Sequence, residues 1–417
     1  MMFCLIGQND AATLIVVSTF GGWYLKRSVE MNKKIKAFSL LISVIFIITS
    51  FSGCNININI VPDEFTFVND KGEEKSVSPE DILNYTTSRP DAVGNYMRSK
   101  LSDEELYIYN AVSYAVDNGY KDLRLSGEYV DDDASKYVKA ITFYSCDSPF
   151  LEHNYTTDGT FRLTESTSFG NAYYSFTLPR NSTAFTNEKQ QAYEKAKELI
   201  KDIPTEYITD KQKAIHLYNY VTSNVNYTDA IDSYNYNTVP IYDALLTKDK
   251  ETICDGFADT LMLLFNLADI ECFAVEGMNN KNSGHVVVCA ELDGQYYYFD
   301  PTNDSNARAS GFKPGFYYAV SDKELASYFK KEADVAGILP VCPTSRISDM
   351  ADVVAFSDDD NAVNNAKSVF LRDGSVNVYF TDTVSDSDKE NFGRKLATAI
   401  GTTLINTKAN GLVGYTK

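Results

Sequence analysis

Apolar residues recur at helical spacing through Phe257, Leu261, Leu264, Phe265 and Ala268, which predicts a helix with one buried face. Thr252 and Asp255, three residues apart, form a capping-box pattern at its start. The period then changes. Residues 272–277 (CFAVEG), 285–292 (HVVVCAEL) and 295–300 (QYYYFD) are rich in β-branched and aromatic side chains and predict three strands. Asp293-Gly294 between the last two is a two-residue hairpin turn. With Leu292 opposite Gln295, Cys289 faces Tyr298 and Val287 faces Asp300. His285 shares a strand face with Val287, so Asp300 becomes its diagonal neighbour, roughly 7–8 Å away between backbones.

Periodicity organises the rest of the chain too. Within residues 78–119, SPEDILNYTT and SDEELYIYNAVSYAVDNG read as two helices. In the second, Ser102 and Glu105 make a capping box, and Ile108, Ala111, Val112, Ala115 and Val116 line one face. Residues 137–145 (YVKAITFYS), 160–164 and 172–178 read as strands. Residues 187–203 and 210–226 predict amphipathic helices; on the second, Ala214, Leu217, Tyr218, Val221 and Val225 face inward and His216 faces solvent. A strand at 316–318 and a short helix at 322–329 follow, and Pro340 and Pro343 mark a boundary. Beyond it lie a strand at 375–380, a helix at 386–400, and strands at 404–407 and 412–415.

The candidate chemistry sits in the first window. Cys254 falls in the first turn of its helix, where free backbone N–H groups and the positive end of the dipole favour a thiolate. Asp300 is placed to hold a ring nitrogen of His285. Nucleophile, base and orienter then form a triad. A cysteine in an apolar helix is otherwise a small buried hydrophobe, a reading that leaves the placement of His285 and Asp300 unexplained. The chain has three histidines; His216 lies on a polar helix face and His153 follows a loop-like stretch, so His285 stands alone as general base.

Cys254-Asp255-Gly256-Phe257-Ala258, Gly284-His285 and Asp300-Pro301-Thr302, in that order, resemble the bacterial transglutaminase-like superfamily of papain-fold cysteine enzymes. The resemblance extends upstream through residues 216–228 (HLYNYVTSNVNYT) and 240–254 (PIYDALLTKDKETIC). It implies an α+β fold: a papain-like/transglutaminase-like core, with the Cys-bearing helix packed on an antiparallel sheet bearing His and Asp. It implies acyl transfer or hydrolysis at peptide or glutaminyl amides through Cys254, His285 and Asp300, with Tyr227 a candidate oxyanion donor beside the Cys254 backbone N–H. An alternative is an idle fold of this kind that binds proteins or peptides. Many relatives follow the histidine with a small residue, tryptophan and asparagine, whereas here Val286, Val287 and Val288 follow.

The amino-terminal region adds an address. From Met31 the chain reads MNKKIKAFSLLISVIFIITSFSGC: a basic segment, then an apolar stretch short for a membrane span, then a sequence that resembles a lipobox ending at Cys54. The expectation is an exported lipoprotein, lipidated at Cys54 and anchored to the outer face of a bacterial membrane. Domain boundaries follow: 1–53 an export segment with its start at Met31, 54–77 a tether, 78–186 a helical lead-in with a small sheet, 187–337 the catalytic domain, and 338–417 a small α/β appendage. A membrane hairpin over residues 14–25 and 37–51 is the rival account.

A net charge of −19 argues against nucleic acid as a partner, since phosphate binding wants a basic stripe. The expected partner is a peptide or protein substrate. No cofactor is implied, and neither a C-x-x-C pair nor a His cluster suggests zinc. The acidic triplet Asp131–Asp133 reads as a solvated charge run, because a calcium site spaces its oxygens more widely. Beyond Cys54 the cysteines are Cys146, Cys254, Cys272, Cys289 and Cys342, an odd set that suits one free catalytic thiol. Cys272 and Cys289 could face each other on adjacent strands, but the strain of such a bridge favours two buried thiols.

Overall fold

The computed structural model describes residues 2–7, 12–17, 65–126, 135–151, 162–168, 171–178, 180–203, 209–228, 237–332, 337–349, 353–356, 360–381 and 383–417. The expected tether at 55–64, the acidic triplet, His153 and the lipobox with Cys54 lie outside these residues. Among the described residues no helix is long and apolar enough to cross a membrane.

The first layer holds strands β1 (Met2–Gly7), β2 (Ala12–Val17), β3 (Phe65–Val68) and β4 (Glu74–Val77), helices α1 (Pro79–Leu83) and α2 (Asp103–Asn118), β5 (Asp122–Ser126), helix α3 (Ser135–Asp147), β6 (Arg162–Ser168) and β7 (Asn171–Thr177). Its sheet runs in the order β1-β2-β6-β7-β5-β3-β4. The capping box of Ser102 and Glu105 forms as expected, and the helix it starts ends at Gly119 in the left-handed region. Two expectations fail. Residues 65–77 form a hairpin rather than a tether, because Phe65 and Phe67 are fully buried and anchor it to β5. Residues 137–145 are helical rather than extended. The β-branched composition misleads there; Tyr137, Ile141 and Tyr144 fall at helical spacing and are buried, and α3 packs on α2 and on the sheet of the central unit.

The central unit comprises α4 (Thr183–Lys201), α5 (Asp210–Asn224), β8 (Asn226–Tyr227), α6 (Pro240–Leu246), β9 (Glu251–Thr252), α7 (Cys254–Leu267), β10 (Cys272–Asn279), β11 (Gly284–Leu292), β12 (Gln295–Phe299), α8 (Pro301–Ala309), α9 (Asp322–Leu325) and β13 (Phe329–Lys331). Its antiparallel sheet has the order β12-β11-β10-β13. The hairpin register is the one the turn predicts, with Leu292 opposite Gln295 and Cys289 opposite Tyr298; Asp293 and Gly294 both take positive φ, as the tight turn demands.

Helix α7 runs through the middle. Every residue from Cys254 to Phe265 is buried, not one face alone, because α4, α5, α6, α8 and the sheet all pack on it. The fold is therefore mixed α+β, with a core of one buried helix on an antiparallel sheet.

The carboxyl-terminal unit has strands β14 (Val353–Ala355), β15 (Ser375–Tyr379), β16 (Ile405–Ala409) and β17 (Leu412–Thr416), with helices α10 (Asp360–Asp373) and α11 (Asp386–Ile400). Its sheet runs β14-β15-β17-β16 and encloses a separate apolar cluster around Ala366, Phe370, Val376, Phe392 and Leu396. Side chains tie this unit to the loop after α8. Asn377 Nδ2 donates to the carbonyls of Lys313 and Pro314, and Asn410 Nδ2 to that of Phe316, at 2.8–3.2 Å.

Candidate active site

Short-range packing sets where Cys254 stands. Strands β8 and β9 pair in parallel, with Tyr227 opposite Thr252, so the end of α5 is tied to the segment entering α7. The capping box expected from Thr252 and Asp255 is absent. Ile253 is the N-cap and offers no side-chain cap, while the Thr252 hydroxyl donates to the Pro240 carbonyl at 3.2 Å. Thr252 is spent on joining α6 to α7. A Cβ at Gly256 would lie 2.1 Å from Thr252 Oγ1 and 2.6 Å from the Pro240 carbonyl oxygen, so that close approach requires glycine. Cys254 is nonetheless the first residue of the helix, as the pattern predicts. The first N–H groups of a helix have no intrahelical acceptor, and the Ile253 side chain offers none.

His285 and Asp300 meet as the register predicts. His285 Nε2 lies 2.8 Å from Asp300 Oδ2, with the imidazole 6% and the aspartate 0% exposed. The imidazole is boxed in on one side by Phe329, edge to face at 6.0 Å between ring centres. Gly277, opposite His285 in the ladder, makes room; a Cβ there would fall 2.5 Å from the Phe329 ring.

Asp300 is held from several directions. It is the N-cap of α8, with Pro301 in the first turn. Asn303 donates to it twice, by its backbone N–H at 3.0 Å and its side-chain amide at 2.7 Å. The Asp300 N–H donates to the Tyr317 carbonyl at 3.0 Å, and the Tyr218 hydroxyl donates to the Asp300 carbonyl at 3.1 Å. The same hydroxyl donates to Asp304, whose carboxylate accepts the N–H groups of Phe316 and Tyr317. That clamp explains why 316–318 is not the expected strand: two of its donors go to a carboxylate rather than a ladder.

The electrostatics of the two ends differ. Burial alone would lower the His285 pKa, but the charge of Asp300 and its hydrogen bond outweigh burial and raise it. Burial pushes the Cys254 thiol well above its ordinary value, and the charge of Asp255 and a hydrogen bond to it add to the rise. The thiol donates to Asp255 Oδ1 at 3.6 Å. The Val286 backbone N–H, one residue after His285, works the other way on the sulfur. Burial and Asp255 thus oppose the thiolate that the helix start and the Val286 N–H favour.

The sequence reading missed the acids around Cys254. Asp255 and Asp259 are one turn apart and both buried. Burial, then the charge of Asp255, pushes the Asp259 carboxyl well up, and Lys189 opposes this. Lys189 on α4 is itself pushed down to about 7, chiefly by burial. The signal available was the i, i+4 spacing of Asp255 and Asp259 inside an otherwise apolar helix. Tyr227 lies across the ladder from Thr252, half-buried, its ring 6.4 Å from that of Phe257. Cys146, Cys254, Cys272, Cys289 and Cys342 are buried and form no disulfide in the structure; Cys272 is opposite Ala290 rather than Cys289. His216 is exposed on α5, as expected.

Residues 193–301 match the Transglutaminase-like superfamily, a span that takes in Cys254, His285 and Asp300. Nothing among curated proteins matches the chain. Similar solved structures include a candidate cysteine protease from Cytophaga hutchinsonii, at 16% identity over 36% of this chain and 61% of that one, with a TM-score of 0.24. Another is a TGase at 15% identity, over 43% and 50% of the two chains, TM-score 0.23. A third is the periplasmic domain of TgpA from Pseudomonas aeruginosa bound to ethylmercury, at 16% identity over 34% and 55%, TM-score 0.21. In each case the match spans less than two thirds of the solved chain.

Proposed function

From a chain that carries a transglutaminase-like domain, we propose a cysteine enzyme that attacks peptide or glutaminyl amides. The observation that carries this reading is the buried His285–Asp300 pair at 2.8 Å, built beside the uncapped start of the helix that begins with Cys254. With Asp300 ionised, Nε2 carries the proton and Nδ1 is the basic nitrogen. His285 takes the Cys254 proton as the sulfur attacks the carbonyl carbon, then returns it to the leaving amine. The tetrahedral oxyanion is received by the Cys254 backbone N–H, with the Tyr227 hydroxyl as a second donor. Water then releases the acid; an amine acceptor would instead give a cross-link. Hydrolysis is the simpler outcome, because it asks for no second binding site.

Because burial and Asp255 oppose a thiolate, activation depends on His285. The test is the alkylation rate of Cys254 against pH, read by peptide mapping, with His285→Ala alongside. Labelling that is already fast well below the free-thiol value, and collapses in the variant, is expected. Labelling that rises only near the free-thiol value of about 8.5, unchanged by the variant, would sink the enzyme reading. It would favour the second one, an idle fold that binds peptides, which the buried acid next to the thiol supports.

We also propose that the protein is exported and lipid-anchored through Cys54, on the basic and apolar pattern from Met31 to Cys54. Expressed whole in a bacterium, it should partition with membranes, and Cys54→Ala should release or retain it unlipidated. An unmodified Cys54 in the mass spectrum of membrane material would refute the anchor.

A further inference from the structure

We propose that Cys289 and Cys342 form a disulfide that fastens the segment leaving the central unit to the strand carrying His285. Cys289 lies on β11, on the same strand face as His285 and opposite Tyr298 in the ladder. Cys342 is 53 residues on, in the connection at 337–349, where its backbone is fixed. The Asp322 N–H donates to the Cys342 carbonyl at 2.8 Å, and the Cys342 N–H to Asp322 Oδ2 at 2.7 Å. Asp322 Oδ1 accepts from the Tyr298 hydroxyl at 3.3 Å. One carboxylate thus sets Cys342 beside Tyr298, whose ladder partner is Cys289, and the two thiols are near enough to shift each other's proton affinity. Both are fully buried.

Other partners are poorly placed. Cys272 is on the neighbouring strand but opposite Ala290, so its side chain leaves the other face of the sheet. There its sulfur donates to the Met262 carbonyl and to Asn266 Oδ1 of α7, at 3.5 and 3.4 Å. Cys254 is engaged with Asp255. The inference is independent of catalysis at Cys254.

The oxidant is a small-molecule disulfide such as oxidised glutathione. The first attack, from Cys342, comes before the folding chain buries the pair. Its thiolate bonds to one reagent sulfur and expels the other as a thiol. Cys289, losing its proton, then attacks the Cys342 sulfur and expels the second reagent thiol. Two electrons pass from the protein thiols to the reagent disulfide, which leaves as two thiols carrying the two protons.

The test refolds the whole chain from the reduced, denatured state in glutathione buffers of increasing oxidised fraction. Differential alkylation and peptide mapping read the thiols, and thermal melts read the folded state. The expected result is a peptide joining Cys289 to Cys342, lacking two hydrogens, with Cys272 still free. The melting midpoint should rise by roughly 5 °C over the reduced protein. Cys342→Ser should abolish the link and the oxidant dependence, and Cys272→Ser should keep both. Cys289 and Cys342 both free at every glutathione ratio, a link from either to any other cysteine, or equal midpoints for oxidised and reduced wild-type protein would overturn the proposal. The wild-type comparison stands even where a variant fails to fold.

Discussion

The two ends of the candidate site are built on opposite plans. Asp300 is fully buried, yet it is surrounded by donors: His285, two groups of Asn303, and a backbone held by Tyr317 and Tyr218. Cys254 is almost as buried, yet its nearest charged neighbour is Asp255, which opposes a thiolate. A charge is held ready at one end and discouraged at the other. The contrast teaches where activation would have to come from: on the proposed mechanism, the oriented imidazole must overcome what burial and Asp255 impose on the thiol. A low-pKa thiol would be reactive without a substrate; this arrangement ties reactivity to the geometry around His285.

The largest expected effect comes from breaking the mechanical seat of the Cys254 end. Gly256→Ala drives a methyl into the Thr252 side chain and the Pro240 carbonyl, and should cost about 3 kcal/mol in chemical denaturation. A variant as stable as the parent would mean that α6 and α7 are not locked as described. Next comes the Asp300 end. Asparagine caps a helix as well as aspartate, so Asp300→Asn should leave the fold intact while removing the charge that raises His285. Cys254 alkylation at pH 7 should then slow by about 100-fold, the lower range of a general base's contribution. Equal rates in the two proteins would show that the pair is structural. The smallest change sharpens the contrast. Asp255 raises the thiol, so Asp255→Asn should lower it, move the alkylation midpoint to lower pH, and speed labelling severalfold at pH 7. A midpoint that stays, or moves up, would place the opposition to the thiolate in burial alone.

Local rules made some of this site legible from sequence. The Asp293-Gly294 turn admits few geometries, so one dipeptide determined the pairing through Cys289–Tyr298 and brought His285 to Asp300. Helical spacing located the start of α7 at Cys254, although the reason offered for it, a capping box, was wrong. Thr252 looked like a cap because the pattern does not reveal a competing acceptor, the Pro240 carbonyl. Elsewhere composition and period conflicted. At 137–145 β-branched and aromatic residues suggested a strand, but burial follows the helical period. Residues 316–318 have strand-like composition too, and a carboxylate twelve residues upstream takes the donors a ladder would need. Contacts that depend on distant chain segments, such as Cys289 with Cys342, leave no mark on local patterning.

The sequence reading set the carboxyl-terminal unit apart as an appendage without chemistry, and its separate apolar cluster fits that view of its core. Its amides, however, grip the carbonyls of Lys313, Pro314 and Phe316, and the next carbonyl, that of Tyr317, receives the N–H of Asp300. Where the chain can be cut and where the machine can be divided are therefore different places. A fragment ending near residue 337 would keep Cys254, His285 and Asp300 and lose the brace on the residue that steadies His285. By the same linkage, a load on the far sheet, from a bound partner or a pull on the last strand, would be felt as tension at Asp300.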